Sequence, residues 1–120
     1  MARQIKNEFG NITLSEEVIA TIAGVAATEC YGIVGMASTK FKDGIAELLG
    51  QENLSKGVVV KLDQEQVDIT LYIVVGYGTK ISEVARNIIE KVKYSVESST
   101  GLTVTGVHIN VQGVKVGNDR

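Results

Sequence analysis

The residues best suited to chemistry form a glycine-rich turn at positions 76–80, which reads Gly-Tyr-Gly-Thr-Lys. A turn of this kind between a strand and a helix directs backbone N–H groups and a lysine toward an anion. It is not a nucleotide loop, because GxxxxGK[ST] is absent and Ile81 or Ser82 stands where GxGxxG requires its third glycine. A tight turn with a helix cap is the favoured interpretation, and the anion-binding candidates are Gly76, Gly78, Thr79 and Lys80.

The sequence has few residues that could bind a transition metal or act as a nucleophile. His108 and Cys30 are the single histidine and the single cysteine of the sequence, whereas a zinc site takes three or four ligands. Cys30 follows an apolar segment with helical spacing and has no base beside it, so we interpret it as a packed small hydrophobic residue. We therefore predict no catalytic residue, no metal site and no cofactor.

The composition narrows the class of protein. The 120 residues carry a net charge of −2 and are 44% hydrophobic and 22% charged, which is typical of one globular domain. Without a basic excess, nucleic acid is an unfavoured partner. The amino terminus lacks the apolar stretch of a signal peptide, and the longest apolar run, 71–75, is too short to span a membrane. We expect a single cytoplasmic domain over residues 1–120, with an ordered core at about 9–116.

Hydrophobic periodicity predicts the elements that must position these residues. Apolar positions including Val18, Ile22 and Val25 predict a core-facing helix that begins at Ser15 and ends by Gly32. A second helix ends at Gly101 and is capped by Thr79 or Ser82, and its predicted apolar stripe consists of Ile81, Val84, Ala85, Ile88, Val92 and Val96. A short third helix is predicted near 41–49. In the strand at 67–75, alternate residues from Val67 to Val75 are predicted to share one face. Strands are predicted at 11–14, 33–36, 58–62, 67–75 and 102–111, with a bulge at 105–106.

This order predicts an α+β fold, a two-layer sandwich of one mostly antiparallel sheet with two main helices on one face plus a short extra helix. The opposite sheet face is then neither charged nor fully apolar. Such a mixed surface is typical of a protein interface, although solvated sheets also carry threonine, tyrosine and valine. The candidate interaction face consists of Val59, Thr70, Tyr72, Val74, His108 and Asn110.

An ordered series of segments resembles the alkaline-shock or general-stress envelope protein family of Gram-positive bacteria. The series covers roughly residues 9–116, and segment 42–49 is similar to a housekeeping branch of that family. The segments are GNITLSEEVI (10–19), IAGVA (22–26), GIVGM (32–36), GVVV (57–60), VDI (67–69), VGYG (75–78), ISEVA (81–85), TGLTV (100–104) and VHI (107–109).

The resemblance implies a non-enzymatic cytoplasmic scaffold or adaptor in cell-envelope stress homeostasis, which acts by protein–protein interaction near the membrane. Its implied partners are further copies of itself, in a homo-oligomer, and a membrane-anchored protein, without direct membrane insertion. Two alternatives stay open. One is an RNA- or anion-binding domain that uses the 76–80 turn, and the other is an enzyme or a regulator of one, for instance in lipid precursor metabolism.

Overall fold

The computed structural model describes residues 2–7, 9–38 and 48–116. Six strands, two α-helices and a kinked 3₁₀ segment, Gln51–Gly57, make up the described chain. In order they are β1 (Ala2–Asn7), β2 (Gly10–Ser15), α1 (Glu16–Thr28), β3 (Ile33–Met36), β4 (Val58–Asp63), β5 (Gln66–Gly76), α2 (Ile81–Thr100) and β6 (Thr103–Lys115). The short helix predicted near 41–49 falls largely on residues 39–47, which lie outside the described residues.

β5 is the central strand of the main sheet. β4 pairs antiparallel with its first half, β3 pairs antiparallel with its second half, and β6 runs parallel to it from Gln66↔Thr103 to Gly76↔Lys115. Because β6 occupies one edge of β5 along its whole length, β3 and β4 share the other edge. Two of these three pairings are antiparallel, and the bulge predicted at 105–106 is confirmed by a register shift between Val67 and Asp68.

Helices α1 and α2 pack side by side on one face of this sheet, so the two-layer α+β class is confirmed. The Ser15 hydroxyl accepts from the Val18 N–H at 3.3 Å and begins α1 as predicted. The predicted cap of α2 is wrong, because Lys80 stands at its N-cap without a side-chain hydrogen bond. Gly101 ends α2 with φ +78°, a conformation that favours glycine.

The core between the layers is mostly aliphatic and also contains Met36. α2 and β5 contribute most of the largest fully buried side chains, on the faces that the sequence predicted, except that Ile81 at the start of the predicted α2 stripe is 43% exposed. These fully buried residues are Val67, Ile69, Leu71, Ile73, Val75, Ile88, Val92 and Val96.

α1 buries its small residues and Ile19, and leaves its two valines exposed. Ala20, Ala23, Ala26 and Ala27 are buried beside Ile19, whereas Val18 and Val25 are 44% and 41% exposed. The predicted core positions of these two valines are therefore wrong, and Ile22 is only half-buried. The physical reason is close approach, because a Cβ added at Gly24 would lie 3.2 Å from Leu54 Cβ. Only the face of α1 that carries small side chains fits against Leu54.

Candidate interaction surfaces

The sheet face opposite the helices brings the predicted interaction residues together in rows. Cross-strand pairing places Val59 beside Thr70, and Thr70 beside His108, across β4, β5 and β6. The next row pairs Tyr72 with Asn110. Side chains of paired strand residues project to the same side of a sheet, so these residues share one outer face as the alternation predicted.

Exposure is uneven across this outer face. Val59 is 37% exposed, and His108 and Asn110 are exposed. Thr70 and Tyr72 are half-buried, and Val74 is only 6% exposed. Val74 is thus not available to a partner in this conformation. The accessible part of the face lies on β4, on β6 and on the middle of β5.

His108 has a partner that the sequence pattern did not indicate. Its Nε2 atom lies 3.0 Å from Asp68 Oδ1 on the neighbouring strand, and both side chains are partly exposed. Gly106 makes room for this pair, because a Cβ there would lie 2.7 Å from Asp68 Oδ1 and 3.1 Å from His108 Nε2. The two residues are 40 positions apart, so only the parallel pairing of β5 and β6 reveals the contact.

The 76–80 turn connects β5 to α2, but several of its polar groups are used within the fold. The Gly76 N–H donates to the Gly32 carbonyl at 3.0 Å, and the Tyr77 N–H donates to the Lys115 carbonyl at 3.0 Å. Thr79 donates to the Gly76 carbonyl from both its N–H, at 3.3 Å, and its hydroxyl, at 2.7 Å. These hydrogen bonds fix the turn and leave fewer donors for an anion.

A shallow cavity of about 330 Å³ adjoins this turn. The exposed rings of Tyr31 and Tyr77 line it together with Lys80, Glu83 and Asn87. One lysine and one carboxylate of opposite charge therefore face the same space. The cavity offers aromatic surface and hydrogen-bonding groups, without a concentration of positive charge.

Aromatic side chains lie on the outside of the described chain. Tyr31, Tyr77 and Tyr94 are all more than two-thirds exposed, as is Phe9, and no aromatic residue is among the buried core positions described. Buried aromatic residues usually dominate core energetics, and exposed ones are enriched at protein interfaces. The helix layer adds Val18 and Val25 of α1 to this exposed apolar surface.

Residue chemistry outside these surfaces is sparse. Cys30 is half-buried and its thiol donates to the Ala26 carbonyl at 3.7 Å. Burial raises the pKa of this thiol; Lys91 opposes that rise and Glu29 adds to it.

Within residues 2–7, 9–38 and 48–116, no group of three or more histidine, cysteine or acidic side chains could hold a metal ion. In the same ranges no helix has the length and apolar character needed to cross a membrane.

Two features of the surface escaped the sequence-based prediction. The β1–β2 hairpin was only half predicted, as a strand at 11–14, although Ile5 and the residues around Gly10 carry a weak hairpin signal. The position of β6 at the margin of the sheet was not predicted either. Strand order depends on which elements pack together, so no local pattern in the sequence indicates it.

Comparison with known proteins finds relatives of this sequence. The model of the alkaline shock protein 23 family, described as having a cell envelope-related function, matches residues 4–116. The protein YloU of Bacillus subtilis (strain 168) is 54% identical over 119 residues, which cover 98% of this chain and 99% of YloU. A stress response regulator gls24 homolog of Streptococcus pyogenes serotype M3 is 28% identical over 106 residues, 88% of this chain and 59% of that protein.

The fold also resembles a solved structure of low sequence identity. The copper form of a MamM CTD variant matches with a TM-score of 0.50 and 12% identity, covering 87% of this chain and all of that one (100%). At this identity the likeness concerns the fold alone. The names of the sequence relatives given above state no enzymatic activity.

Proposed function

The chain belongs to the alkaline shock protein 23 family, and we propose that it acts as a non-enzymatic cytoplasmic scaffold or adaptor in cell-envelope stress homeostasis. It works by protein–protein interaction near the membrane, with further copies of itself and a membrane-anchored protein as partners. The family description supports the envelope-related part of this role, and the stress response regulators among the relatives support the stress-related part.

The observation that carries the proposal is the distribution of apolar side chains. Three tyrosines are exposed to solvent, as are two valines of α1, while no aromatic side chain is among the buried core residues described. Rigid aromatic side chains at a surface bury much area on binding at a low cost in conformational entropy. The exposed rings are Tyr31, Tyr77 and Tyr94.

The outer sheet face is the proposed contact surface for the membrane-anchored partner. It combines Val59 and the half-buried Tyr72 with the polar groups of Thr70, His108 and Asn110. An apolar centre with a hydrogen-bonding rim is the usual composition of a non-obligate interface. Its modest apolar area suits a reversible contact better than a permanent one.

Capture from native cells tests the proposal. The tagged chain is crosslinked in cells, and recovery of a membrane protein is compared between the wild type and Val59→Lys, which places a charge on the outer sheet face. We expect the variant to lose most of the captured partner, because an unpaired charge in an interface is costly to desolvate. Lys56→Glu, on the exposed part of the 3₁₀ segment, is the control and should retain capture.

The proposal fails if no membrane protein is enriched by the wild-type chain. The proposed use of the outer face fails if Val59→Lys captures the partner as well as the wild type does.

The alternative function is binding of RNA or another anion at the 76–80 turn. The cavity that Lys80 lines with Tyr31 and Tyr77 favours it, since aromatic rings stack on bases while a lysine contacts phosphate. Glu83 in the same lining disfavours it. Titration of the purified chain with single-stranded RNA at several salt concentrations, with Lys80→Ala for comparison, separates the two functions.

A further inference from the structure

Strand β6 forms a long open margin of the main sheet. It has 13 residues, and among the described residues β5 is its only strand partner. Its other margin therefore has no strand partner among the described residues, and of its backbone groups the Val104 N–H is bonded by a side chain, that of Glu97. A strand margin of this kind is a template for pairing with another chain.

The opposite margin of the sheet is protected in ways that β6 is not. β4 has only six residues, and Lys61 and Asp63 place charges along it. Short length and charge are common devices that prevent pairing between sheet margins. In β6 the residues from Thr103 to Val114 include no lysine, arginine, aspartate or glutamate and no proline. Regular pairing with β5 runs from Gly106 to Val111 between two register shifts.

The helix-facing side of β6 is incompletely covered. Val107 and Ile109 are half-buried, and Val111 is 36% exposed, although the side chains of all three project to the sheet face on which α2 packs. These three residues form an apolar strip along the open margin, which we refer to as the β6 strip. Burial of the strip in a complex is favourable by the hydrophobic effect.

Charge at the two ends of β6 is of opposite sign. At its beginning, Glu97 of α2 reaches the strand, and its Oε2 atom accepts from the Val104 N–H at 3.0 Å. At its end stands Lys115, which is exposed. An antiparallel neighbour identical to β6 would therefore bring Lys115 of each copy beside Glu97 of the other. A parallel neighbour would place like charges together.

From these observations we infer that the open margin of β6 binds the same margin of a second copy, antiparallel and about a two-fold axis at Ile109. This register sets Val107 opposite Val111 of the second copy, so the two β6 strips meet. It sets His108 opposite Asn110 of the second copy on the outer face, so the two His108 rings do not face each other. Such an isologous contact closes as a dimer.

The inference rests on the proposed function, because self-association is part of that function, and it adds a geometric consequence. A two-fold axis normal to the sheet keeps both outer sheet faces on the same side of a continuous sheet. Both copies then present their outer faces in one direction. Two linked binding faces raise the apparent affinity for a clustered partner through effective concentration.

Sedimentation equilibrium of the full chain and of Val111→Lys tests the inference. We expect the wild type to dimerise and the variant to dissociate, with a dissociation constant higher by about a hundredfold or more, because symmetry places two lysine charges in the interface. The matched control is Val59→Lys. Its position is 37% exposed, compared with 36% for Val111, and it lies on β4, which β5 separates from β6. It should dimerise like the wild type.

A second variant covers the case in which Val111→Lys does not fold, as judged by circular dichroism. Lys115→Glu should also weaken the dimer, because each glutamate would face Glu97 of the other copy, and the effect should be larger at low salt. Lys56→Glu carries the same change of charge away from β6 and should leave the dimer intact. A monomeric wild type, or unchanged dimerisation of folded Val111→Lys, overturns the inference. If Val111→Lys does not fold, unchanged dimerisation of Lys115→Glu overturns it instead.

The results separate this inference from the proposed function. If Val111→Lys stays dimeric while Val59→Lys loses the membrane partner, the β6 contact is refuted and the adaptor function stands. If Val111→Lys is monomeric but the wild type captures no membrane protein, the β6 contact stands and the adaptor function is refuted.

Discussion

Cys30 illustrates how surroundings determine the chemistry of a residue. Its thiol is half-buried after the last turn of α1 and donates to the Ala26 carbonyl at 3.7 Å. Burial raises its pKa because the thiolate loses hydration; Lys91 opposes the rise and Glu29 adds to it. A thiol with a raised pKa is a poor nucleophile at neutral pH, which agrees with its interpretation as a packed residue.

The pH dependence of stability should report this shift. The pKa of the Cys30 thiol is higher in the folded chain than in the unfolded chain. The stabilisation of the neutral thiol is therefore complete below the ordinary value of 9.0 and is lost as the pH rises through the folded-state pKa. We expect the free energy of unfolding of the wild type minus that of Cys30→Ala, both measured by urea denaturation, to decrease at alkaline pH. A difference that stays constant or increases would contradict the shift.

His108 marks the limit of prediction at the scale of single residues. Its alternation with Val107 and Ile109 correctly predicted an exposed position on the outer face. The nearby carboxylate of Asp68 was not predictable, because it comes from a strand 40 residues away. Local patterns describe which side of a strand a residue takes, and contacts between strands require the register.

At the scale of elements, α2 was predicted more accurately than α1. The buried positions of α2 recur every four residues, at Val84, Ile88, Val92 and Val96, and all four are large. A helix with one apolar stripe of this kind has only one face that can be buried in a core. In α1, small and large apolar residues alternate around the helix, so its sequence allows two different buried faces. Close packing on the 3₁₀ segment selected the small one.

Substitution of Ile88 tests the assignment of the α2 core face. Ile88 is fully buried, so Ile88→Ala should reduce the free energy of unfolding by about 2–5 kcal/mol, through lost burial and the cavity left behind. Ile81→Ala on the same helix is the matched control, because Ile81 is exposed and its truncation should cost far less. Equal losses for the two variants in denaturant melts would show that the face is assigned wrongly.

At the scale of the whole molecule, the surfaces of the main sheet differ in how far they are covered. The helix layer covers one sheet face, the outer face stays accessible, and the β6 margin is open. The β1–β2 hairpin forms a separate two-stranded sheet that contacts the body mainly through α1. An isolated two-stranded hairpin is marginally stable in water, so further contacts of this hairpin would add to its stability.

Metal independence is expected of the molecule as a whole. Among the described residues no cluster of ligands is present, and the full sequence has one histidine and one cysteine. Treatment with a chelator should leave the melting temperature unchanged, and elemental analysis should find no stoichiometric zinc or iron. A single bound metal per chain, or a lower melting temperature after chelation, would contradict this expectation, since structural metals contribute directly to folding free energy.

The sequence by itself determined the type and order of most elements. The two helices, the β4–β5 hairpin, the end of α2 at Gly101 and the bulge near Gly106 follow from periodicity and glycine placement, which act over a few neighbouring residues. The composition of the outer sheet face followed from the same alternation.

Tertiary structure alone decided which surfaces are covered. It placed β6 at the margin, paired it parallel to β5, turned the valines of α1 outward and buried Val74. These outcomes depend on distances between segments far apart in the chain, where close packing admits one arrangement and rejects others of similar hydrophobic pattern. For that reason the fold class was readable from the residues, and the open margin of β6 became visible only in three dimensions.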